Sequence, residues 1–282
     1  TWHAAGLIGQ LRANLNMTRL AKYSVNLYTD LEKETGISTG MKQNGSLTVA
    51  LSEHRREEIF RQASLARAFD VEAYEVNIAE IKEKYPYINT NGIVAGVYLP
   101  KDGQADPANI ALALAKGARQ NGAHIFEGVN VYQVNTKNGR VFSVSYVNEE
   151  GDTGEIKTDV IVNCAGMWAR ELGQRNRVNI PLHACEHFYI VTEPIEGLGQ
   201  LPVLRVPDEC AYYKEDAGKM LLGAFEPNAK PWGSHGIPED FCFDQLPEDL
   251  EHFQPVLEMG INRFPLLNNV GIRTFFNGPE SF

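Results

Sequence analysis

Side chains able to do chemistry are concentrated in a few short stretches. The densest is Pro181-Leu182-His183-Ala184-Cys185-Glu186-His187-Phe188-Tyr189. His183 and His187 stand in H-x-x-x-H spacing, which on a helix would turn both imidazoles to one face, as zinc ligation requires. Pro181 and the alternation of Phe188, Ile190 and Thr192 predict a strand instead. In a strand, residues 183, 185, 187 and 189 share one face, and that face serves equally as a pocket wall or as a packed sheet surface. A second stretch is Cys210-Ala211-Tyr212-Tyr213-Lys214. Adjacent strand residues point to opposite faces, so at most one of Tyr212 and Tyr213 lines a pocket while the other packs or meets water. A third is Cys164-Ala165-Gly166, ahead of a helix starting near Met167-Trp168. Small residues before a helix N-terminus let backbone approach a planar or anionic ligand, and a tight strand-to-helix turn demands the same glycine. No G-x-G-x-x-G, P-loop, zinc motif or G-x-S-x-G occurs.

The elements that must position these residues follow from periodicity and punctuation. Met17 to Glu34 has the apolar period of an amphipathic helix ended by Gly36. Gly45 to Leu51 alternates as a strand, and Ser52 caps a charged helix reaching about Phe69. A short strand over Val71 to Val76 is followed by Asn77 capping a helix over Ile78 to Lys84, which Pro86 stops. Gly92 to Pro100 reads as a strand. Asp106 and Pro107 open a small-residue helix that Asn121-Gly122 ends. Ala123 to Phe126 is predicted as a strand, and Val129 to Val134 with Val141 to Val147 as a hairpin around Asn138-Gly139. Asp159 to Gly166 is predicted as a continuous apolar strand. Further strands are expected over His187 to Glu193, Ala211 to Lys214, Lys219 to Phe225 and Gly271 to Phe276, with a helix from Pro247 to about Phe264 and a loop over Asn277 to Phe282.

Two textures interleave along the chain, which predicts two discontinuous domains. One is α/β in character, over residues 1–40, 101–176 and 270–282. The other, over 41–100 and 177–269, is a mostly antiparallel sheet with helices on one side. The composition, 43% hydrophobic and 22% charged over 282 residues, is that of a globular protein. A formal charge of -10 argues against a nucleic-acid partner. No apolar run approaches the roughly 18–20 residues of a membrane span. Four cysteines without a C-x-x-C pair read as free thiols, which fits a bacterial cytoplasm or a mitochondrial matrix.

Taken together, four motifs carry a resemblance: Thr1-Trp2-His3-Ala4-Ala5-Gly6, Val162-Asn163-Cys164-Ala165-Gly166-Met167-Trp168, His187-Phe188-Tyr189-Ile190-Val191-Thr192 and Asn277-Gly278-Pro279-Glu280-Ser281-Phe282. In this order the chain resembles the dimethylglycine and sarcosine dehydrogenases, flavoproteins of the D-amino-acid oxidase superfamily. The resemblance covers essentially the whole chain. It implies an α/β (α+β) fold in which a truncated, Rossmann-like FAD-binding domain (1–40, 101–176, 270–282) interleaves with a substrate domain (41–100, 177–269). The chain then reads as the interior of a longer enzyme, without the ADP-gripping glycines or a folate-binding C-terminal region.

By the same resemblance, His3 matches the histidine bonded covalently to the flavin. Trp2, Ala4, Ala5, Gly6, Val131, Gly166 and Trp168 match cofactor contacts, and His187 and Tyr212 match the polar side chains of the substrate pocket. The implied reaction is oxidative N-demethylation of dimethylglycine or sarcosine by hydride transfer to FAD. Tetrahydrofolate and an electron-transfer flavoprotein are the implied partners, and Arg205 or Lys214 the candidate cation for the substrate carboxylate. Ile180 to Tyr189 and Leu246-Pro247-Glu248-Asp249 also resemble the regulatory subunit of pyruvate dehydrogenase phosphatase, a non-enzymatic member of the family that departs from the pattern at the histidine of the opening motif. Retention of His3 favours the enzyme over the regulator.

Overall fold

The computed structural model describes residues 1–282. β1 (Leu7–Ile8) leads into α1 (Leu15–Thr35), β2 (Ser46–Ala50), α2 (Glu53–Ala68), β3 (Tyr74–Val76), α3 (Ile78–Lys84), β4 (Ala95–Leu99), β5 (Gly103–Gln104) and α4 (Pro107–Gln120). β6 (Val129–Lys137), β7 (Arg140–Asn148), β8 (Thr153–Lys157) and α5 (Ala169–Arg175) follow. The chain continues through β9 (Ala184–Thr192), β10 (Val203–Val206), β11 (Ala211–Asp216), β12 (Lys219–Ala224), β13 (Pro231–Trp232), α6 (Leu250–Arg263) and β14 (Ile272–Ser281). No helix is long and apolar enough to cross a membrane.

The helices begin where side chains satisfy their first backbone N–H groups. Asn14 accepts from Met17 at 3.0 Å, Ser52 from Arg55 at 3.1 Å and Asp106 from Asn109 at 3.1 Å. Asn77 and Glu80 form a reciprocal capping box at the start of α3. Asp249 caps α6, so that helix starts at Leu250 rather than at Pro247. Gly36 closes α1 in the left-handed conformation, with φ 71°.

The chain divides into two compact units. The first comprises Thr1–Asn121, Phe188–Asn228 and Pro247–Asn277; the second comprises Gly122–His187, Ala229–Leu246 and Gly278–Phe282. These units group residues 1–40 with 41–100, whereas the expected division separates them by role.

In the first unit the strands run in the order β9-β12-β11-β10-β2-β4-β3, all antiparallel except the parallel pair β10–β2. The mostly antiparallel sheet is therefore present. Its helices do not all lie on one side. One face, through Leu47, Val49, Ile190, Tyr213 and Leu222, buries residues of α3 and α6 such as Ile81, Phe253 and Val256. The other packs Ala50, Val97 and Leu99 against Ile59, Ala63 and Ala66 of α2. β2 and β4 carry apolar residues on both sides of the pleat, and a sheet apolar on both faces must be covered on both.

In the second unit β6, β7 and β8 form an antiparallel sheet. Asn138 and Gly139, at φ 53° and 72°, make the tight turn between β6 and β7. Two predicted strands are absent here. Ala123 to Phe126 and Asp159 to Gly166 are irregular, and Val160 and Val162 are 69% and 78% exposed. Local bonds occupy the second segment: the Thr158 hydroxyl donates to the Val160 carbonyl at 2.9 Å, and the Ala165 N–H donates to Asn163 Oδ1 at 3.2 Å. Such side-chain bonds compete with a ladder when no neighbouring strand is supplied. Conversely, the predicted loop after Asn277 continues β14 to Ser281, and Phe282 exchanges two backbone hydrogen bonds of 2.9 Å with His183.

Candidate functional site

β11 separates its two tyrosines as strand alternation requires. Tyr213 enters the main core under α6, packing on Phe264 with ring centroids 4.7 Å apart. Tyr212 faces the opposite side, in a smaller apolar cluster with Tyr189, Val191 and Leu221. Gly223 lies across from Tyr212 in the β11–β12 ladder, and a Cβ there would stand 2.3 Å from the tyrosine ring. The glycine is what lets the ring lie down over the strand.

The opening motif closes over this cluster. Ala5 and Leu7 pack against it, Tyr189 stacks on Phe276 at 4.6 Å, and Phe276 meets the Trp2 ring edge-on at 6.1 Å. The Trp2 and His3 rings are 3.9 Å apart. Gly6 is fixed by its own surroundings. Its φ is +76°, its carbonyl accepts from Ala105 N–H at 2.9 Å, and a Cβ would fall 2.2 Å from the Ala105 carbonyl oxygen. Five of the predicted site residues, Trp2, His3, Ala5, Gly6 and Tyr212, therefore belong to one packed region of the first unit, with Ala4 exposed beside them. Phe276 and Gly223 join them without having been singled out in the sequence, and Tyr189 joins them from the strand face predicted to carry residues 183, 185, 187 and 189. The signal for Tyr189 was its place two residues after His187 on one strand; Phe276 had none, because its contact with Trp2 spans nearly the whole chain.

The remaining predicted residues belong to the second unit. Val131 is in β6, Gly166 and Trp168 form a 3-10 turn ahead of α5, and His187 is the last residue of that unit on β9. Gly166 has φ +53°, and a Cβ there would meet nothing within 4 Å, so its backbone is open to a ligand. Val131 and Trp168 are exposed. His183, on an irregular stretch before β9, lies with Nδ1 3.2 Å from the Arg170 guanidinium. The strand that holds His187 rules out the helical H-x-x-x-H arrangement for zinc.

Next to Tyr212 the same sheet face becomes polar. The β10–β11 and β10–β2 registers set Arg205 between Tyr212 and Thr48. Ser46, Asp102, Arg12 and Gln62 join Arg205 and Thr48 around a cavity of about 110 Å³. Asp102 is buried there. Its Oδ1 accepts from the Gln10 backbone N–H at 2.9 Å and its Oδ2 from the Ser46 hydroxyl at 2.7 Å. Burial pushes the Asp102 carboxyl above the usual carboxylate range, and the Ser46 and Gln10 hydrogen bonds offset part of that rise.

A family model described as FAD dependent oxidoreductase matches residues 1–280. The chain is 36% identical over 285 residues to the mitochondrial sarcosine dehydrogenase of Mus musculus, covering 100% of this chain and 31% of that protein. It is also 36% identical over 286 residues to the mitochondrial pyruvate dehydrogenase phosphatase regulatory subunit of Mus musculus, covering 100% of this chain and 32% of that one. The chain thus spans about a third of the length of these relatives. Among solved structures, L-proline dehydrogenase from P. horikoshii superposes with a TM-score of 0.83 at 23% identity, over 98% of this chain and 70% of that one, and carries the same fold. With its match running through both compact units, the chain belongs to the family of FAD-dependent oxidoreductases.

Proposed function

We propose that the protein containing this chain oxidises a small N-methylated glycine, sarcosine or dimethylglycine, at the N-methyl carbon. One observation carries the reading: the Trp2–His3 motif packs onto the sheet face that presents Tyr212, within a chain 36% identical throughout to a sarcosine dehydrogenase. The residues present fit a flavin. His3 offers an imidazole nitrogen as the nucleophile a covalent link needs, and Gly166 leaves open space where a side chain would stand. His3, Trp2, Ala4, Ala5 and Gly6 would hold the cofactor, and Val131, Gly166 and Trp168 are the further cofactor contacts that the resemblance implies. When bound, FAD supplies the acceptor for a hydride from the substrate.

The chain's own groups then control the amine. An ammonium gives up a hydride poorly, so the site must favour the neutral form, and His187 accepts or shares that proton. Tyr212, locked between Gly223 and the aromatic cluster, holds the substrate's orientation. An electron-transfer flavoprotein as acceptor and tetrahydrofolate bound by another region of the protein complete the scheme.

Full-length protein precipitated in acid is expected to keep visible flavin absorbance with the polypeptide, His3→Ala to release it, and sarcosine or dimethylglycine to bleach the flavin anaerobically. A flavin that washes away from the wild type sinks the covalent link. A second reading, a regulatory protein of the same fold, draws on the equal identity to the phosphatase regulatory subunit. A flavin bleached by neither amine would favour it.

A further inference from the structure

Four consecutive residues, Asp102 to Ala105, grip the chain just after the opening motif. The Ala105 N–H donates to the Gly6 carbonyl at 2.9 Å, and Gln104 and Gly103 ladder with Leu7 and Ile8. Asp102 Oδ1 closes the far end, accepting from the Gln10 backbone N–H at 2.9 Å and from the Gln10 side-chain amide at 3.3 Å. The gripping residues are themselves tied to the large sheet. Asp102 Oδ2 accepts from the Ser46 hydroxyl of β2 at 2.7 Å, and the Asp102 carbonyl accepts from the Gly45 N–H at 2.9 Å. The Gln104 side-chain amide donates to the Glu215 carbonyl of β11 at 2.8 Å. Asp102, Gln104, Ala105 and Gln10 are all buried. No side chain fits at Gly103, where a Cβ would stand 1.9 Å from the Lys42 carbonyl oxygen.

β1 and β5 have two residues each, and so short a ladder holds little by itself. The Asp102 side chain extends the grip beyond the ladder, to a backbone N–H that would otherwise be buried without an acceptor. A buried carboxylate is a costly group to place there, and the donors that compensate it belong to the two segments it joins, Gln10 after the motif and Ser46 in the sheet. His3 stands three residues before Gly6. Three residues of extended chain span about 10 Å. Looseness at Gly6 to Gln10 would therefore carry the imidazole far outside the ~0.5 Å tolerance of a productive geometry.

We infer that Asp102 is a positioning residue for His3: by locking Gly6 to Gln10 onto the sheet, it sets the direction from which the imidazole meets the flavin. The inference rests on the covalent link proposed above. In that step one N–H bond of the imidazole and one C–H bond of the flavin break and a C–N bond forms. Two protons leave, and two electrons enter the flavin ring, which dioxygen reoxidises. Asp102 acts through the segment it holds rather than on the reacting atoms, and bond formation between two held groups depends steeply on their alignment.

The test uses full-length protein prepared without flavin and mixed with FAD in air. Acid-stable flavin absorbance against time reads attachment, with His3→Ala setting the zero, and quenching of flavin fluorescence at early times reads reversible binding. Asp102→Ala is expected to slow attachment roughly 10- to 100-fold while the Kd for FAD changes by less than about threefold. Its amides at 6–10 should exchange faster with solvent, and those of β9 to β12 should not. Asp102→Asn keeps an acceptor for Gln10 and a partner for the Ser46 hydroxyl, so it should restore most of the rate, which also guards against a misfolded alanine variant. Attachment at the wild-type rate in Asp102→Ala would overturn the inference, as would loss of FAD affinity in step with attachment in both variants. If the wild type forms no acid-stable flavin, the covalent reading fails instead, and exchange at 6–10 still decides whether Asp102 clamps the motif.

Discussion

Phe188 to Val191 and Asp159 to Val162 make an instructive pair. Both are short runs rich in apolar residues. The first lies in β9, laddered to β12 and β14, with Phe188 and Ile190 each 1% exposed. The second has no strand beside it, and Val160 and Val162 face solvent. Apolar composition states a need for burial, but only a neighbour with free N–H and C=O groups turns the run into a strand. The predicted pocket shows the same contrast: Tyr212 and the Trp2–Gly6 motif are packed and locked, whereas Gly166, Trp168 and Val131 stand open.

The largest effect expected on this comparison comes from emptying the laddered side. Phe188→Ala removes a ring that meets Phe275 at 5.9 Å and His252 at 5.1 Å, and should cost about 3–5 kcal/mol in denaturant unfolding. A loss below about 1 kcal/mol would mean that β9 is not a core strand in solution.

Two glycines sharpen the contrast further. Gly223→Ala drives a methyl into the Tyr212 ring and should cost about 1–3 kcal/mol, with a shift in near-ultraviolet circular dichroism. Gly166→Ala meets no atom and pays only for a left-handed backbone, about 1–2 kcal/mol locally, without that spectral change. Equal spectral changes in both would contradict the difference in packing.

The smallest effect belongs to Val162→Ala, which in this chain should stay within about 0.5 kcal/mol because the side chain is already in water. Amides of 160–163 should also exchange far faster than those of 188–191. A destabilisation above about 1 kcal/mol, or slow exchange at 160–163, would show that the segment finds a partner.

Much of the local structure was legible before any contact was known. Ser52, Asn77 and Asp106 mark helix starts as their local patterns predict, Asn138-Gly139 makes the predicted hairpin turn, and Tyr212 and Tyr213 face opposite ways; the cap at Asn14 is not among the predicted ones. Each rests on a rule spanning a few residues: a side chain reaching the N–H three positions on, a positive φ, a period of two. β10 carries no such signal, because Val203 to Val206 is four residues between Pro202 and Pro207 and too short to show a period. Yet that strand places Arg205 beside Tyr212.

By itself, then, the sequence determined where helices start and stop, which way the two tyrosines diverge, and, through motifs recurring in order, the flavoprotein family. Only the tertiary structure decided which apolar runs are paired, that helices cover both faces of the large sheet, and that Trp2 meets Phe276 across most of the chain. It also decided that Lys214 pairs with Asp216. The physical reason is range: caps and turns are settled within one or two turns of backbone, whereas ladder partners and counterions come from segments far apart in sequence, whose meeting no local pattern encodes.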